Sequence, residues 1–211
     1  MVHLPVLRAG RPYRSMNRAT VCHVASGAPL AQVSQANRGL IDRDLKQLGA
    51  ARAALEELSV AQLLAICKRA ARLFGEGDLP LDEGEMQSPD DYIRQLSATT
   101  SLPESLCRAN MAKICKVLDE MEEVLGGLTR GLDLSILDRG WGLQGNRPLS
   151  YVCQARALGA VLPNNSPGVH SLWLPAIPLK VPLVLKPGSE EPWTPFRIAQ
   201  AFMAAGCPPA A

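Results

Sequence analysis

Three features of the sequence predict an α/β fold. From Leu40 to Gly127 aliphatic residues recur at helical spacing, whereas the first 33 residues have no helical period and carry short β-like runs. Near the end, Gly159-Ala-Val-Leu162 and Val181-Pro-Leu-Val-Leu185 read as two short buried strands, each stopped by a proline-containing turn. Ligands of open α/β sheets gather outside the carboxyl ends of strands. The turns Pro163-Asn164-Asn165-Ser166-Pro167 and Lys186-Pro187 are therefore candidate edges of a site.

In chain order, Ala19–Val24 and Ala31–Val33 flank the turn signal Ser26-Gly27-Ala28-Pro29 and predict a hairpin. Leu40, Ile41, Leu45, Leu48, Leu55 and Leu58 mark helical structure with a soft break at Gly49. Ser59 and Gln62 have the spacing of a capping box, and Val60, Leu63, Leu64, Cys67, Ala71 and Phe74 form one apolar stripe after it. The acidic, glycine-containing segment 75–87 reads as a surface loop. At Ser88-Pro89-Asp90-Asp91 a serine cap, a first-turn proline and two carboxylates at the positive end predict the next helix. A longer helix is expected from Pro103 to Gly126-Gly127, burying Leu106, Ile114, Leu118, Met121 and Leu125. Leu132–Leu137 alternates like a strand, Gly140–Asn146 reads as a turn-rich tip, and Pro148–Ala155 as a return strand.

Composition excludes several function classes. A net charge of +2, the lack of a basic run and 4% aromatic content argue against nucleic acid as a partner. The apolar stretch from Leu172 to Leu185 is interrupted by three prolines and Lys180, so no membrane span is expected. The opening Met1-Val-His-Leu-Pro lacks the form of a signal peptide, and a cytoplasmic location is the expectation. The 6 cysteines are scattered without a C-x-x-C pair, which predicts neither a disulfide framework nor a zinc site. His3, His23 and His170 have no partners in sequence, and Cys207, between Gly206 and Pro208, reads as part of a helix-ending turn. No metal site is expected.

The stretch Gly159–Pro208 resembles the aldehyde dehydrogenase superfamily. Pro163-Asn164-Asn165-Ser166-Pro167 lies on that family's P-W-N-F-P turn, and Lys186-Pro187-Gly188-Ser189 on its K-P-S-E turn. Glu191-Pro192-Trp193-Thr194-Pro195 then stands at its T-P helix start, and Ala205-Gly206-Cys207-Pro208 at its A-G-x-P helix end. The spacing of the block matches over the last quarter of the chain; upstream only the order of elements is shared.

The resemblance implies an incomplete Rossmann-like parallel sheet of a cofactor-binding domain. Residues 1–127 would supply the leading hairpin and helices, 128–157 an oligomerisation hairpin, and 158–211 the first strands and helices of that sheet. It implies an NAD- or NADP-dependent oxidoreductase acting on an aldehyde or acyl-thioester, homo-oligomeric when complete. Asn165 would donate to the oxyanion formed when a thiolate attacks the substrate. Read without the family, Asn164 and Asn165 are turn formers. Lys186 would hydrogen-bond the adenosine ribose, although a lone lysine after a strand is usually just solvated. Ser189 stands where the family has a glutamate for the ribose hydroxyls, so a 2′-phosphate would not be repelled there, subject to the nearby Glu190 and Glu191. The family's nucleophilic cysteine and general-base glutamate have no counterpart here. The expectation is thus an amino-terminal portion of such an enzyme, inactive alone; the alternative is a non-catalytic helical binding or scaffold protein on the same fold.

Overall fold

The computed structural model describes residues 1–211. Five short strands open the chain: β1 (Val2–Leu4), β2 (Val6–Arg8), β3 (Arg11–Tyr13), β4 (Arg18–Cys22) and β5 (Pro29–Ser34). β4 and β5 form the hairpin expected around Ser26-Gly27, and β1 adds to β5 in parallel, giving the order β1-β5-β4. β2 and β3 make a separate antiparallel pair.

Helices follow: α1 (Arg38–Leu45), α2 (Leu48–Glu56) and α3 (Val60–Glu76). The break between the first two falls at Lys46-Gln47, just ahead of Gly49. Ser59 caps α3 through the anticipated box, its hydroxyl accepting from the Gln62 amide while the Gln62 side chain accepts from Ser59 N–H. The buried stripe of α3 is Val60, Leu63, Ile66, Cys67, Ala70, Ala71 and Phe74; Leu64 lies at its margin.

Segment 75–87 is not the surface loop that its acidity suggests. It finishes α3 and then forms a hairpin, β6 (Leu79–Asp82) and β7 (Glu85–Gln87), with Leu79, Leu81 and Gln87 buried. Leu79 and Leu81 alternate inward along β6 with exposed Pro80 between them, while the carboxylates Asp78 and Glu85 are exposed. His3 of β1 reaches this hairpin: its imidazole lies 3.2 Å from Asp82 and 3.0 Å from the Ser34 hydroxyl, and Arg14 donates to Asp82 at 2.8 Å. A histidine without sequence neighbours thus has a structural partner set.

α4 (Pro89–Thr100) starts with the predicted cap, Ser88 and Asp91 exchanging hydrogen bonds. The single long helix expected after Pro103 is two, α5 (Glu104–Asp119) and α6 (Met121–Leu128). Gly126 and Gly127 lie inside the second rather than ending it, and Leu106 is exposed while Cys107 is buried in its place. Leu132–Leu137, read as a strand, is a set of turns entering the short helix α7 (Ile136–Arg139). There Asp133 Oδ1 accepts from the Ser135 amide, a local bond that favours a turn over extended backbone. The hairpin expected around the 140–146 tip is β8 (Trp141–Gln144) with β9 (Arg147–Ser150), turning at Gly145-Asn146, so its return strand is shorter than 148–155.

β10 (Leu158–Val161) and β11 (Leu183–Lys186) are the two strands expected near the end, and they pair in parallel from Leu158↔Leu183 to Val161↔Lys186. Between them lie two 3-10 turns, Pro167–Leu172 and Leu174–Ala176. The strands are not buried as their apolar sequences suggest; Val161 is 78% exposed and every residue of β11 is at least partly exposed. The last element, α8 (Trp193–Ala204), is buried nearly all round, including its polar residues Thr194, Arg197 and Gln200. It packs on α3, α4 and β6, and one core runs from Leu4 to Cys207 through both ends of the chain. After α8 the chain turns back, and the Ala211 carbonyl accepts from the Leu183 amide at 2.9 Å.

Within this core sits Arg197 of α8, 1% exposed. It donates to the carbonyls of Phe74 (3.0 Å), Gly77 (2.7 Å) and Gln87 (2.7 Å), and its guanidinium lies over the rings of Phe74 and Tyr92. Two of those carbonyls belong to the carboxyl end of α3, where the helix presents unsatisfied oxygens and partial negative charge. Burial still lowers the Arg197 pKa to about 10. No helix of the protein is long and apolar enough to cross a membrane.

Candidate active site

Parallel pairing puts the carboxyl ends of β10 and β11 side by side, so the turns that follow them meet. Leu162 N–H donates to the Lys186 carbonyl (2.9 Å), extending the ladder one residue into the first turn. Beyond it, the Asn164 carboxamide bridges the two turns: Oδ1 accepts from the Glu190 amide (3.0 Å) and Nδ2 donates to the Ser189 hydroxyl (3.3 Å). Ser189 in turn donates to the Glu190 carboxylate at 2.9 Å. Gly188 allows this approach, because a Cβ there would stand 2.1 Å from Asn164 Oδ1 and 2.8 Å from the Pro163 carbonyl.

The three residues singled out in the sequence therefore lie on one edge. Asn165, Lys186 and Ser189 are all exposed there. Of the asparagine pair, Asn164 is the turn former, which leaves the Asn165 amide outside the bridge. Ser189 and Glu190 also border a cavity of about 330 Å³ whose other walls come from β4 and its turn, including Thr20, Cys22 and His23.

Two residues beneath this edge have a pairing that the sequence does not reveal. His170 and Glu191 are completely buried and paired at 2.8 Å through Nε2 and Oε2. Trp173 Nε1 donates to His170 Nδ1 (3.2 Å), and the other Glu191 oxygen accepts from Thr194 N–H (2.9 Å) at the start of α8. Thr194 continues the chain to the buried Tyr92 hydroxyl at 2.7 Å. The 21-residue gap between His170 and Glu191 hides their pairing. A signal for Glu191 does exist: an acceptor three residues before Thr194 at a helix start has capping spacing. Glu191 is thereby occupied below the surface, and Glu190 is the carboxylate that faces the edge.

The cysteines are all unpaired. Burial raises the Cys67 and Cys207 thiols to about 12 and Cys107 to about 11, and also raises Cys115. Such thiols are poor nucleophiles, since the thiolate is the reactive form. No group of three metal-ligating side chains comes together.

No family model and no curated protein matches the sequence. Solved structures do match its fold. An aldehyde dehydrogenase from Brucella melitensis biovar abortus 2308 superposes with a TM-score of 0.74 at 13% identity, over 98% of this chain and 40% of that one. The NADP-dependent glyceraldehyde-3-phosphate dehydrogenase from Bacillus halodurans C-125, solved with NADP, gives 0.73 at 13% identity over 99% of this chain and 42% of that one. A NAD-dependent benzaldehyde dehydrogenase from Corynebacterium glutamicum gives 0.70 at 17% identity over 96% and 41%. The chain spans about 40% of the length of these enzymes, and over that span its fold is that of the aldehyde dehydrogenases.

Proposed function

We propose that this chain is part of an NAD(P)-dependent oxidoreductase acting on an aldehyde or acyl-thioester, and that it supplies the cofactor ledge and an oxyanion donor. The observation that carries this reading is the meeting of the Asn164-Asn165 and Lys186–Glu190 turns at the carboxyl edge of a parallel strand pair. That edge is where an α/β sheet presents ligand contacts, and a Rossmann-like sheet would continue from it. Asn165 has a neutral donor free of the bridge between the turns, as an oxyanion donor needs. Lys186 would hydrogen-bond a ribose hydroxyl of the cofactor. The nicotinamide would accept a hydride in aldehyde oxidation and, in its reduced form, donate one in acyl-thioester reduction.

The residues present fit such a dinucleotide, and they bear on which one. Ser189 alone would tolerate a 2′-phosphate, but its hydroxyl is bonded to the Glu190 carboxylate. An anion at this position repels a 2′-phosphate and accepts from a 2′-hydroxyl, so NAD is the cofactor this edge favours. The β8–β9 hairpin, with Trp141 and Leu143 exposed, would serve as the subunit contact of a homo-oligomer. The raised buried thiols support a second reading, a non-catalytic binding protein on this scaffold, in which the 211 residues bind without turning substrate over.

Calorimetric titration of the chain with NAD and NADP tests the proposal. Lys186→Ala should weaken NAD binding by about 1.5–3 kcal/mol, the contribution of a hydrogen bond to a charged donor. Glu190→Gln should narrow the preference for NAD over NADP. Equal affinities of the parent and Lys186→Ala would remove Lys186 from the site.

A further inference from the structure

Buried beneath the two turns is a pair that the proposed chemistry does not use. An indole N–H can only donate, so the 3.2 Å contact from Trp173 makes His170 Nδ1 an acceptor. In the neutral ring the proton must then sit on Nε2, from which it is donated to Glu191 at 2.8 Å. One imidazole thereby links the 3-10 turn that follows Pro163–Pro167 to the segment that follows Lys186–Ser189. Glu191 passes the link to the first turn of α8 through Thr194 N–H. All three side chains are almost completely shielded from water. Leucine would fill the same space but would leave the Trp173 donor and a Glu191 oxygen without partners.

We propose that His170, held as the Nε2–H tautomer between Trp173 and Glu191, is a positioning residue that fixes the Asn165 turn against the Lys186–Glu190 turn. The role rests on the reading of those turns as a cofactor edge, but the contact between them can be followed without any cofactor. The Glu190 amide, donated to Asn164 Oδ1, reports that contact from outside the buried pair.

The experiment uses the 211-residue chain and compares the parent with His170→Leu and His170→Gln. A glutamine amide offers a donor nitrogen and an acceptor oxygen, so it can serve Glu191 and Trp173 together. Nitrogen-detected spectra of the parent should show a protonated Nε2 and an acceptor-type Nδ1. In His170→Leu, hydrogen exchange at Glu190 should accelerate roughly tenfold or more, the effect on local opening of leaving a buried carboxyl oxygen and an indole N–H without partners. In His170→Gln it should stay close to the parent, and NAD affinity should follow the same order. An Nδ1-protonated ring, or equal Glu190 exchange in parent and His170→Leu, would overturn the assignment. If the parent binds neither NAD nor NADP, the functional reading fails, while the exchange comparison still decides the role of His170. Where His170→Leu does not fold, a His170→Gln variant with Glu190 exchange as fast as in an Asn164→Ala control overturns the assignment, and parent-like exchange supports it.

Discussion

Replacing Arg197 with methionine isolates what the buried guanidinium contributes. The substitution keeps an apolar stem between the Phe74 and Tyr92 rings but removes the donors to the carbonyls of Phe74, Gly77 and Gln87. A hydrogen bond to a charged group contributes about 1.5–3 kcal/mol, and three such bonds set the upper scale of the loss. Against that stands relief of burial, which in the parent lowers the Arg197 pKa to about 10. Methionine also recovers part of the lost contact area. The net expectation is a destabilisation of about 2–4 kcal/mol, or roughly 5–15 °C in Tm for a chain of this size. Urea unfolding followed by the fluorescence of buried Trp193 measures it, with Arg197→Lys as the control that keeps charge but lacks the forked donors. A loss below about 1 kcal/mol at an unchanged m-value would show that the three carbonyls find other partners, and the reasoning would fail.

In an enzyme carrying the complete catalytic set, Asn165→Ala should lower turnover by roughly 10²–10³-fold with cofactor affinity nearly unchanged; undiminished steady-state turnover would take Asn165 out of the oxyanion site. Asp44 and Asp91 are held below the usual carboxylate range, Asp44 chiefly by the hydrogen bond from Arg8 and Asp91 chiefly by that from Ser88. Depressed carboxylates add stability that is fully present above the unfolded pKa and lost as pH falls through the folded one, so unfolding free energy should decline below about pH 4. Asp44→Asn should flatten that decline, and an identical acid slope in parent and variant would count against the pair. A thiol reagent at mildly alkaline pH should label exposed Cys22 first, with Cys67, Cys107 and Cys207 lagging until the chain unfolds. The same preparation should show no saturable aldehyde turnover, and turnover abolished by Cys207→Ser would reverse that expectation.

What could be read from the sequence was local. The capping boxes at Ser59 and Ser88, the hairpin around Ser26-Gly27 and the two terminal strands depend on residues a few positions apart, and each forms, the strands with shifted ends and more exposure than their apolar runs suggest. The errors arise where a distant contact overrides the local signal. Segment 79–87 carries enough charge to pass for a loop, but Arg197, 110 residues beyond Gln87, and the core beneath α8 draw it into a buried hairpin. Gly126-Gly127 continues a helix because Met121 and Leu125 are anchored in the core. In the candidate site the edge was legible through its turns, whereas the division of labour within it was not. Only the packed turns show Asn164 as the bridge, Glu190 as the facing anion, and Glu191 withdrawn to His170.

Gly188 makes a further point about how the site can change. Its backbone is not in the left-handed region, so the demand for glycine comes from space and not from torsion. Asparagine and aspartate, the usual substitutes for a left-handed glycine, would therefore be no better tolerated there than alanine. A saturation library at this codon should return glycine alone among variants that keep the two turns in register. The neighbouring exposed positions, Lys186 and Ser189, meet no such steric veto. Variation in cofactor preference is open to them as long as the one missing methyl group stays missing.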